Sequence, residues 1–315
     1  MIKIGGVSID TSHPLGFAEE LEKYCMDMKY EYLAKESFRT DEEADWFVKR
    51  FGLKGKVKNI EDMADKVDVG FVQSCNWDKH IDQIMPFIKA GKYVFLDKPV
   101  VGSFKDGEKL LSLVKNGAKI IGSSSARHAD EIRAFLNKPV SERGEVVSIF
   151  ATCGVDDFNY SIHVMEILSE IAGAKAVSCR FDGYGKSSDG QKSEAYTVEF
   201  ENGVLGHYQT FIGGWRPFHI TVMTTKYSYQ IAVDSSKIYV SLLREIYREI
   251  TTGKSNLVDV YTLVNCVYAM LCGKKSRDEK NGNKVALTEL TDKDAFDGYA
   301  FEKFYGANAA KIFKD

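Results

Sequence analysis

Residues 69–99 constrain the fold more than any other stretch, because two apolar strands flank one helix there. Neither strand shows the alternation of a half-exposed strand, and continuous apolar runs are typical of parallel strands covered on both faces. The apolar residues between the strands recur at helical spacing: Ile81, Ile84, Met85 and Ile88. Gly91 ends this helix. The pattern predicts a βαβ unit that delivers Lys98 to the carboxyl edge of a parallel sheet, where open α/β folds bind ligands.

Lys98 is followed by Pro99, which keeps the lysine in an extended backbone and prevents the strand from continuing. Its spacing alone leaves two interpretations open. The lysine either faces a ligand or is a solvated charge that closes a strand, because both kinds of position commonly carry lysine.

Strands and helices alternate strictly through the first 122 residues, which indicates a doubly wound parallel sheet. Strands are predicted at residues 2–8, 30–35, 67–74 and 119–122, besides the one that ends near Lys98. Helices are predicted at residues 14–28, 41–51, 60–66 and 105–116. We therefore expect a nucleotide-binding type of domain over residues 1–123.

The strict alternation of strands and helices ends after Ser123, and strands predominate from there on. Strands are predicted at residues 145–153, 176–181, 193–201, 204–211, 218–225 and 227–233. Helices are predicted at residues 129–136, 159–172, 241–251 and 257–272, with a last one after Asp294. Polar–apolar alternation over 194–200, followed by a turn at 201–203, is typical of an antiparallel hairpin with one wet face. Residues 124–315 are thus predicted to form an α+β domain with a large, mostly antiparallel open sheet.

Composition excludes several classes of protein. The 315 residues carry a formal net charge of −3 from 42 basic and 45 acidic side chains, without a basic stripe, so no nucleic-acid partner is expected. The six cysteines are scattered without a Cys-x-x-Cys pair and predict reduced thiols, with no metal site. No signal-peptide pattern and no apolar run of roughly 18 residues occurs. We expect a cytoplasmic protein with no membrane partner.

Three short segments resemble the signature of the glucose–fructose oxidoreductase / inositol dehydrogenase / MocA (Gfo/Idh/MocA) family. They are residues 76–80 (NWDKH), 90–92 (AGK) and 95–99 (FLDKP). Asp97 replaces the usual glutamate, and His80 lies one residue later than is common. The resemblance implies an N-terminal Rossmann domain and a substrate domain whose sheet often joins subunits. It favours the ligand-facing interpretation of Lys98 and predicts a homo-oligomer, a dimer or a tetramer, formed through the C-terminal sheet.

The first loop departs from the family's pattern. A dinucleotide fold usually ends its first strand in Gly-x-Gly-x-x-Gly, so that the backbone can approach a pyrophosphate. Here Gly5 and Gly6 fall within the strand, and the turn carries Ser8, Ile9 and Asp10 instead.

Two features of this loop still suit a phosphate. Pro14 fits the first turn of a helix, so the amides near Ser12 and His13 point at the ligand position. The hydroxyls of Thr11 and Ser12 either donate to the phosphate or cap the helix. Asp10 is unfavourable beside a pyrophosphate unless it faces away or binds a ribose hydroxyl. We expect the loop to bind the cofactor, with a loop that only caps the helix as the alternative.

Glu36, Ser37 and Arg39 follow the second strand, where the adenosine ribose usually lies. Glu36 favours NAD by accepting hydrogen bonds from the ribose hydroxyls, whereas Ser37 and Arg39 suit the 2′-phosphate of NADP. We expect NAD or NADP as the cofactor, with a slight preference for NAD.

The resemblance implies a further set of residues along the cofactor: Ser74, Cys75, Asn76, His80, Asp97 and Lys98. Within this set, Asn76 is expected near the nicotinamide ribose. His80 is alternatively a residue at a helix end without a ligand.

Oxidation of a secondary alcohol needs a group that takes the hydroxyl proton and a charge that stabilises the alkoxide. The family commonly carries Asp-x-x-x-His on the helix that opens the second domain, and this chain has Asn159 and His163 at that spacing. Residues four apart share a helix face. The resemblance therefore implies His163 as general acid/base, although a histidine on such a helix is more often structural, and Lys98 as the charge. Catalytic residues are predicted to be Lys98, His163 and Asn159.

Substrate-binding residues are predicted to be Lys98, Arg127, Asp157, Tyr160, His163 and Trp215. The aromatic ring of Trp215 either stacks on a sugar or packs within its loop. The predicted activity is NAD(P)-dependent hydride transfer at a hydroxyl or keto carbon of a sugar, an inositol or a related polyol. Two alternatives stay open: a ligand-sensing protein without turnover, and a lyase or hydrolase that recycles bound NAD.

Overall fold

The computed structural model describes residues 1–24 and 26–312. Its first sheet has six parallel strands: β1 Ile2–Val7, β2 Met28–Ala34, β3 Gly55–Val57, β4 Val69–Val72, β5 Tyr93–Leu96 and β6 Ile120–Gly122. Helices connect them: α1 Ser12–Lys23, α2 Asp41–Arg50, α3 Glu61–Ala64, α4 His80–Lys89 and α5 Phe104–Lys115. The strand order is β3-β2-β1-β4-β5-β6, all parallel. The order reverses between β1 and β4, which is where doubly wound sheets bind ligands. The predicted Rossmann sheet is confirmed.

Helix α1 differs from its predicted bounds of 14–28. It begins at Ser12, because the Thr11 side chain accepts a hydrogen bond from the His13 amide and caps the helix. It ends at Lys23, and Met28 lies instead in β2, where it pairs with Ile2 and is buried. Burial against β1 thus decides the conformation of Met28, which the helical pattern alone could not show.

The second sheet has seven strands: β7 Val146–Val155, β8 Ala176–Lys186, β9 Lys192–Phe200, β10 Leu205–Ile212, β11 His219–Thr224, β12 Ser228–Ala232 and β13 Val285–Ala286. The other helices are α6 Asp130–Leu136, α7 Val140–Arg143, α8 Ser161–Ala172, α9 Ile238–Thr252, α10 Val260–Glu279 and α11 Gly298–Asn308. The strand order is β12-β11-β7-β10-β9-β8-β13, and only β7 and β10 pair in parallel. The predicted mostly antiparallel sheet is confirmed, whereas α7 and β13 were not predicted.

One face of the second sheet packs against α8 and α10, and the other is open. Apolar side chains stand exposed on that open face, among them Phe150, Leu205 and Met223. Helix α8 packs into the core of the second sheet, and Asn159, two residues before its start, lies beside Lys98.

The last helix, α11, lies against the first sheet's domain rather than the second's. Helix α11 packs against the segment that follows β4, through the Trp77 and Phe301 rings and a hydrogen bond from the Gly298 amide to Asp78. The domain boundary at residue 123, immediately after β6, stays a prediction, and α11 crosses back over it.

Over residues 1–24 and 26–312, no helix is both long and apolar enough to cross a membrane. Five cysteines are free and buried: Cys75, Cys153, Cys179, Cys266 and Cys272. Cys25 lies outside the described residues. No group of three or more histidine, cysteine or acidic side chains in the described chain could hold a metal ion.

Candidate active site

A cavity of about 200 Å³ lies where the carboxyl ends of β1 and β5 meet the first turn of α8. We call it the site cavity. Five residues predicted as catalytic, substrate-binding or both line it: Lys98, Asn159, Tyr160, His163 and Trp215. The cavity is therefore lined by side chains from the first sheet's domain and from the second sheet's domain. The roles of these side chains stay predictions.

Lys98 and Asn159 are in direct contact. The Lys98 ammonium donates to the backbone oxygen and to Oδ1 of Asn159, both at 2.9 Å. Its nitrogen also lies 5.7 Å from the centre of the Tyr160 ring. Burial lowers the pKa of Lys98, against the opposing charges of Asp97 and Asp156. Two of the three N–H groups of the ammonium donate to Asn159, so the third is available to a ligand.

His163 stands in the first turn of α8 and is buried. Its Nδ1 lies 2.6 Å from Oγ of Ser124, which itself accepts a hydrogen bond from the Ala126 amide. The Ser124 hydroxyl has no other acceptor among the described residues, so it donates to Nδ1, which leaves Nε2 of His163 as the N–H. Burial, with the charges of Lys98 and His13, holds the pKa of His163 well below its ordinary value. The imidazole is neutral at physiological pH.

His13, predicted to bind cofactor, contributes a second imidazole to the site cavity. Its Nδ1 lies 2.8 Å from Oδ2 of Asp97, and its ring centre lies 6.3 Å from that of His163. Burial alone would raise the pKa of Asp97, but the His13 and Lys98 charges outweigh it, and that pKa is lowered. The Asp97 carboxylate is thus ionised and holds His13 in place.

Two predicted substrate residues have other partners. Arg127 is fully buried and pairs with Glu166 at 3.1 Å and also with Glu170. Asp157 accepts from Arg277 at 2.7 Å. Neither side chain lines the site cavity. Both stay predicted substrate residues, with their charges engaged by the chain itself in this conformation.

The site cavity also has lining residues that sequence reasoning missed. Tyr239, in the first turn of α9, lies 5.3 Å from the His13 ring, centre to centre, and Tyr305 of α11 lines the same cavity. No local signal pointed to either, because both come from helices far along the chain.

The first loop keeps the backbone of a glycine motif without its glycines. Ser8 has a left-handed backbone, with φ of 67°, which glycine normally supplies. Counted from Ser8 at the motif's spacing, Asp10 and His13 take the places of the second and third glycines. Ile9 points into the apolar core instead. Side chains therefore fill space that the motif leaves open.

Asp10 is fully buried beneath this loop. Its carboxylate accepts from the Cys75 amide at 2.9 Å and from the Ser37 hydroxyl. Burial raises the pKa of Asp10. With Thr11 capping α1, the loop matches the alternative of a capped helix start, and Asp10 takes up donors that an anion would otherwise use.

The residues predicted around the adenosine ribose are divided. Arg39 is engaged by the chain itself, donating to the Asp10 backbone oxygen at 2.7 Å, to Glu43 at 2.9 Å and to the backbone oxygen of Ala310 at 2.6 Å. Glu36 is exposed, and among the described residues its carboxylate accepts only from Gln83, at 3.2 Å.

The polar side chains that follow β4 are likewise hydrogen-bonded within the chain. Asn76 donates to Glu302 at 2.9 Å, and Ser74 bonds to Gln83. His80 is fully buried, with Nε2 at 3.0 Å from the Ser74 oxygen and Nδ1 at 3.1 Å from the Val100 oxygen. The predicted contact of His80 with cofactor is corrected, because both ring nitrogens face backbone carbonyls.

Residues 298–312, which we call the C-terminal cover, lie across this edge of the sheet. Glu302 accepts from Asn76 and from Lys79, the latter at 2.7 Å, and the Tyr305 ring contacts Phe38. The donor set beneath the C-terminal cover suits a dinucleotide: amides at the start of α1, the Asn76 side chain and hydroxyls. Of these groups, the Asn76 side chain is now hydrogen-bonded to Glu302 of the C-terminal cover.

Comparison with known proteins agrees with this architecture. Residues 34–125 match the family model GFO_IDH_MocA, described as an oxidoreductase family with an NAD-binding Rossmann fold. No curated protein matches the chain in sequence.

Solved structures share the fold over most of the chain. A probable dehydrogenase from Thermotoga maritima is 16% identical, with a TM-score of 0.78, and the match covers 92% of this chain and 100% of that one. The scyllo-inositol dehydrogenase from Lactobacillus casei with bound NAD(H) and scyllo-inositol gives the same values. A putative myo-inositol dehydrogenase from Sinorhizobium meliloti 1021 is 14% identical, with a TM-score of 0.78, covering 91% of this chain and 100% of that one. The predicted resemblance to the Gfo/Idh/MocA family of oxidoreductases is therefore confirmed, by sequence over residues 34–125 and by fold over the greater part of the chain.

Proposed function

We propose that the protein is an NAD(P)-dependent oxidoreductase that interconverts a hydroxyl and a keto carbon of a sugar, an inositol or a related polyol. One observation carries the proposal: Lys98, Asn159 and His163, which come from different elements, line a single cavity at the switch point of the first sheet. A polar cavity of about 200 Å³ is below the usual ~300–1,000 Å³ of small-molecule sites, which favours a compact substrate.

Each side chain has a role in this reaction. The free proton of the Lys98 ammonium binds the reacting oxygen and stabilises its negative charge in a dry site. Asn159 fixes the ammonium through two hydrogen bonds. His163, neutral and held by Ser124, exchanges the hydroxyl proton. When bound, NAD(P) supplies or accepts the hydride.

The cofactor preference follows from the ribose-binding residues. Arg39 is fully engaged by Asp10, Glu43 and Ala310, whereas the Glu36 carboxylate is exposed. An engaged arginine is a poor partner for the 2′-phosphate of NADP, and an exposed carboxylate suits ribose hydroxyls. Both facts support NAD. Binding requires that the C-terminal cover leave the crevice.

The open sheet face supports a homo-oligomer. Exposed Phe150, Leu205 and Met223 form an apolar surface on β7, β10 and β11, as expected of a face that a second copy of this sheet covers. Size-exclusion chromatography with light scattering distinguishes a dimer or a tetramer from a monomer.

The activity test uses the purified full-length protein. Mass spectrometry of the denatured sample detects retained cofactor, and absorbance near 340 nm follows NAD or NADP across a panel of sugars and inositols. The proposal expects turnover with at least one polyol, faster with NAD than with NADP. Absence of both cofactor binding and turnover would exclude it.

A second candidate is a ligand-sensing protein of the same fold without turnover. The closed crevice and the buried Asp10 favour it, since both oppose a bound pyrophosphate. Polyol binding measured by calorimetry, without any change at 340 nm, is the result that this candidate expects.

A further inference from the structure

Two departures from the family's pattern meet in one contact. Asp97 stands where the family usually has glutamate, and His13 stands at the third glycine of the first loop. In the structure Nδ1 of His13 lies 2.8 Å from Oδ2 of Asp97. The side chains are only 12% and 5% exposed, respectively. A histidine and a carboxylate placed together by two separate substitutions form a unit that the dinucleotide motif does not explain.

The surroundings fix the protonation of this pair. Asp97 Oδ1 accepts from the Lys98 amide at 2.8 Å, so the carboxylate cannot rotate freely. An ionised carboxylate accepts, so Nδ1 of His13 carries a proton, and in the neutral imidazole Nε2 then keeps a lone pair. No hydrogen-bond partner reaches Nε2 from the described residues, and His13 lines the site cavity. His13 is therefore built as a base.

The neighbouring imidazole has the opposite arrangement. Ser124 engages Nδ1 of His163, which leaves Nε2 as a donor, and the ring centres of His13 and His163 are 6.3 Å apart. Lys98 adds an ammonium to the same cavity. One base, one neutral N–H donor and one cation in a small cavity form the set that enolises a carbonyl compound, where a base takes a carbon-bound proton and a neutral imidazole polarises the adjacent oxygen.

We propose that the site cavity catalyses proton transfer in α-hydroxy aldehydes and ketones without a nicotinamide cofactor, with His13 as the base, Asp97 as its positioning residue and His163 as the donor to the carbonyl oxygen. Nε2 of His13 takes the proton from the carbon next to the carbonyl, and the C–H electron pair becomes a carbon–carbon double bond. The carbonyl oxygen receives a proton from Nε2 of His163, which gives an enediol. Nε2 of His13 then returns its proton to the former carbonyl carbon, while Nε2 of His163 takes back a proton from the hydroxyl on the neighbouring carbon. That carbon becomes the new carbonyl, both imidazoles are restored, and the aldose–ketose isomerisation is complete. No electron enters or leaves the molecule, so no oxidant is needed.

This activity does not depend on the dinucleotide crevice. The site cavity exists with the C-terminal cover in place, and the acting groups come from α1, which carries His13, from α8, which carries His163, and from the segment after β5, which carries Asp97 and Lys98. The proposal goes beyond the oxidoreductase function, and either can fail without the other.

The test is hydrogen–deuterium exchange. Full-length protein, verified by mass spectrometry to hold no nicotinamide cofactor, is incubated in D₂O with dihydroxyacetone, glyceraldehyde or fructose. Proton NMR follows loss of the signal from the carbon next to the carbonyl. We expect exchange with at least one of the three probes and a loss of about 10²-fold or more in His13→Gln, as removal of a general base typically gives. His219→Gln, on the second sheet, is the matched control and keeps the wild-type rate.

Two variants test Asp97 apart from folding. Asp97→Asn removes the charge that orients His13 and should lower exchange by about 10²-fold or more, since the wrong tautomer then dominates. Asp97→Glu restores a carboxylate and should recover part of the rate. Melting temperatures identify variants that fail to fold. Wild-type exchange no faster than buffer with all three probes overturns the proposal, as does a folded His13→Gln with the wild-type rate. Absorbance at 340 nm, measured in the same preparations after NAD or NADP is added, tests the oxidoreductase function separately.

Discussion

The site cavity and the dinucleotide crevice lie on the same edge of the first sheet but differ in how their polar groups are used. In the site cavity, Lys98, His13 and His163 each keep a proton or a lone pair for a ligand. In the crevice, Asp10, Arg39 and Asn76 bond to the chain itself. Polar groups inside proteins bond to whatever partner is present, so the difference shows which half is arranged for a ligand in this conformation. The polar groups of the site cavity are free to bind a ligand, whereas those of the crevice are hydrogen-bonded within the chain, Asn76 among them to the C-terminal cover.

The largest expected effect is on the cavity side. Lys98→Met should lower turnover at 340 nm by about 10²-fold or more, because it removes a preorganised charge from a dry site. Lys115→Met, an exposed lysine on α5, is the matched control and should have no effect. Equal turnover of folded Lys98→Met and wild type would remove Lys98 from the mechanism.

A change on the crevice side should act in the opposite direction. Glu302→Ala removes the acceptor of both Asn76 and Lys79, and hydrogen bonds that involve charged groups contribute about 1.5–3 kcal/mol. Weakening the C-terminal cover by this amount should tighten NAD binding by roughly tenfold or more, since closed conformers reduce apparent affinity.

Calorimetric titration of NAD measures this effect. Lys303→Ala, an exposed neighbour on the same helix, provides the control and should bind NAD as the wild type does. Unchanged affinity in Glu302→Ala would mean that the C-terminal cover does not compete with the cofactor.

Acid should destabilise the cavity side. The pKa of His163 is lower in the folded protein than in the unfolded chain. Below about pH 6.5 the unfolded chain therefore binds a proton at His163 that the folded protein does not bind. The free energy of unfolding consequently falls as the pH drops. Chemical denaturation between pH 7 and pH 5 should therefore give a shallower slope in His163→Gln. A parallel dependence in variant and wild type would contradict the prediction.

The crevice side should respond to pH with the opposite sign. The folded pKa of Asp10 is raised above its ordinary value of 3.8, so the stability it contributes is present at low pH and is lost as pH rises through the folded pKa. Asp10→Asn, which cannot ionise, should gain on the order of 1 kcal/mol at pH 7 relative to wild type. Equal or lower stability of Asp10→Asn at pH 7 would show that Asp10 is not destabilising there.

The smallest expected effect concerns Trp215, which is 57% exposed at the rim of the site cavity. If the indole stacks on the substrate ring, Trp215→Ala should raise KM by roughly 2–10-fold with little change in kcat, the size of a single aromatic contact. Trp46→Ala is unsuitable as a control because Trp46 packs against the core, so Tyr227→Ala, an exposed aromatic on the second sheet's domain, is used instead. An unchanged KM would show that the Trp215 ring packs within its loop and does not bind the substrate.

Much of the fold was predictable because its signals are local. The apolar runs of β4 and β5 and the helical spacing of α4 all lie within residues 69–99, and burial on both faces of a parallel sheet requires such runs. The bounds of α2 were predicted almost to the residue, and the structure adds a capping box at Thr40 that fixes its start. The prediction for α1 was wrong at its end, since contact with β1 decides where β2 begins.

The sequence by itself determined the alternating sheet, the placement of Lys98 at its edge and helix α8, which carries His163 and begins two residues after Asn159, because these depend on periodicity and on motifs of a few residues. Only the tertiary structure decided that His13 reaches Asp97, that Arg127 and Asp157 are used in internal ion pairs and that residues 298–312 lie over the crevice. The first contact spans 84 residues, and that between Arg39 and Ala310 spans 271. Contacts between side chains so far apart leave no periodic trace, since they arise from the way the whole chain packs.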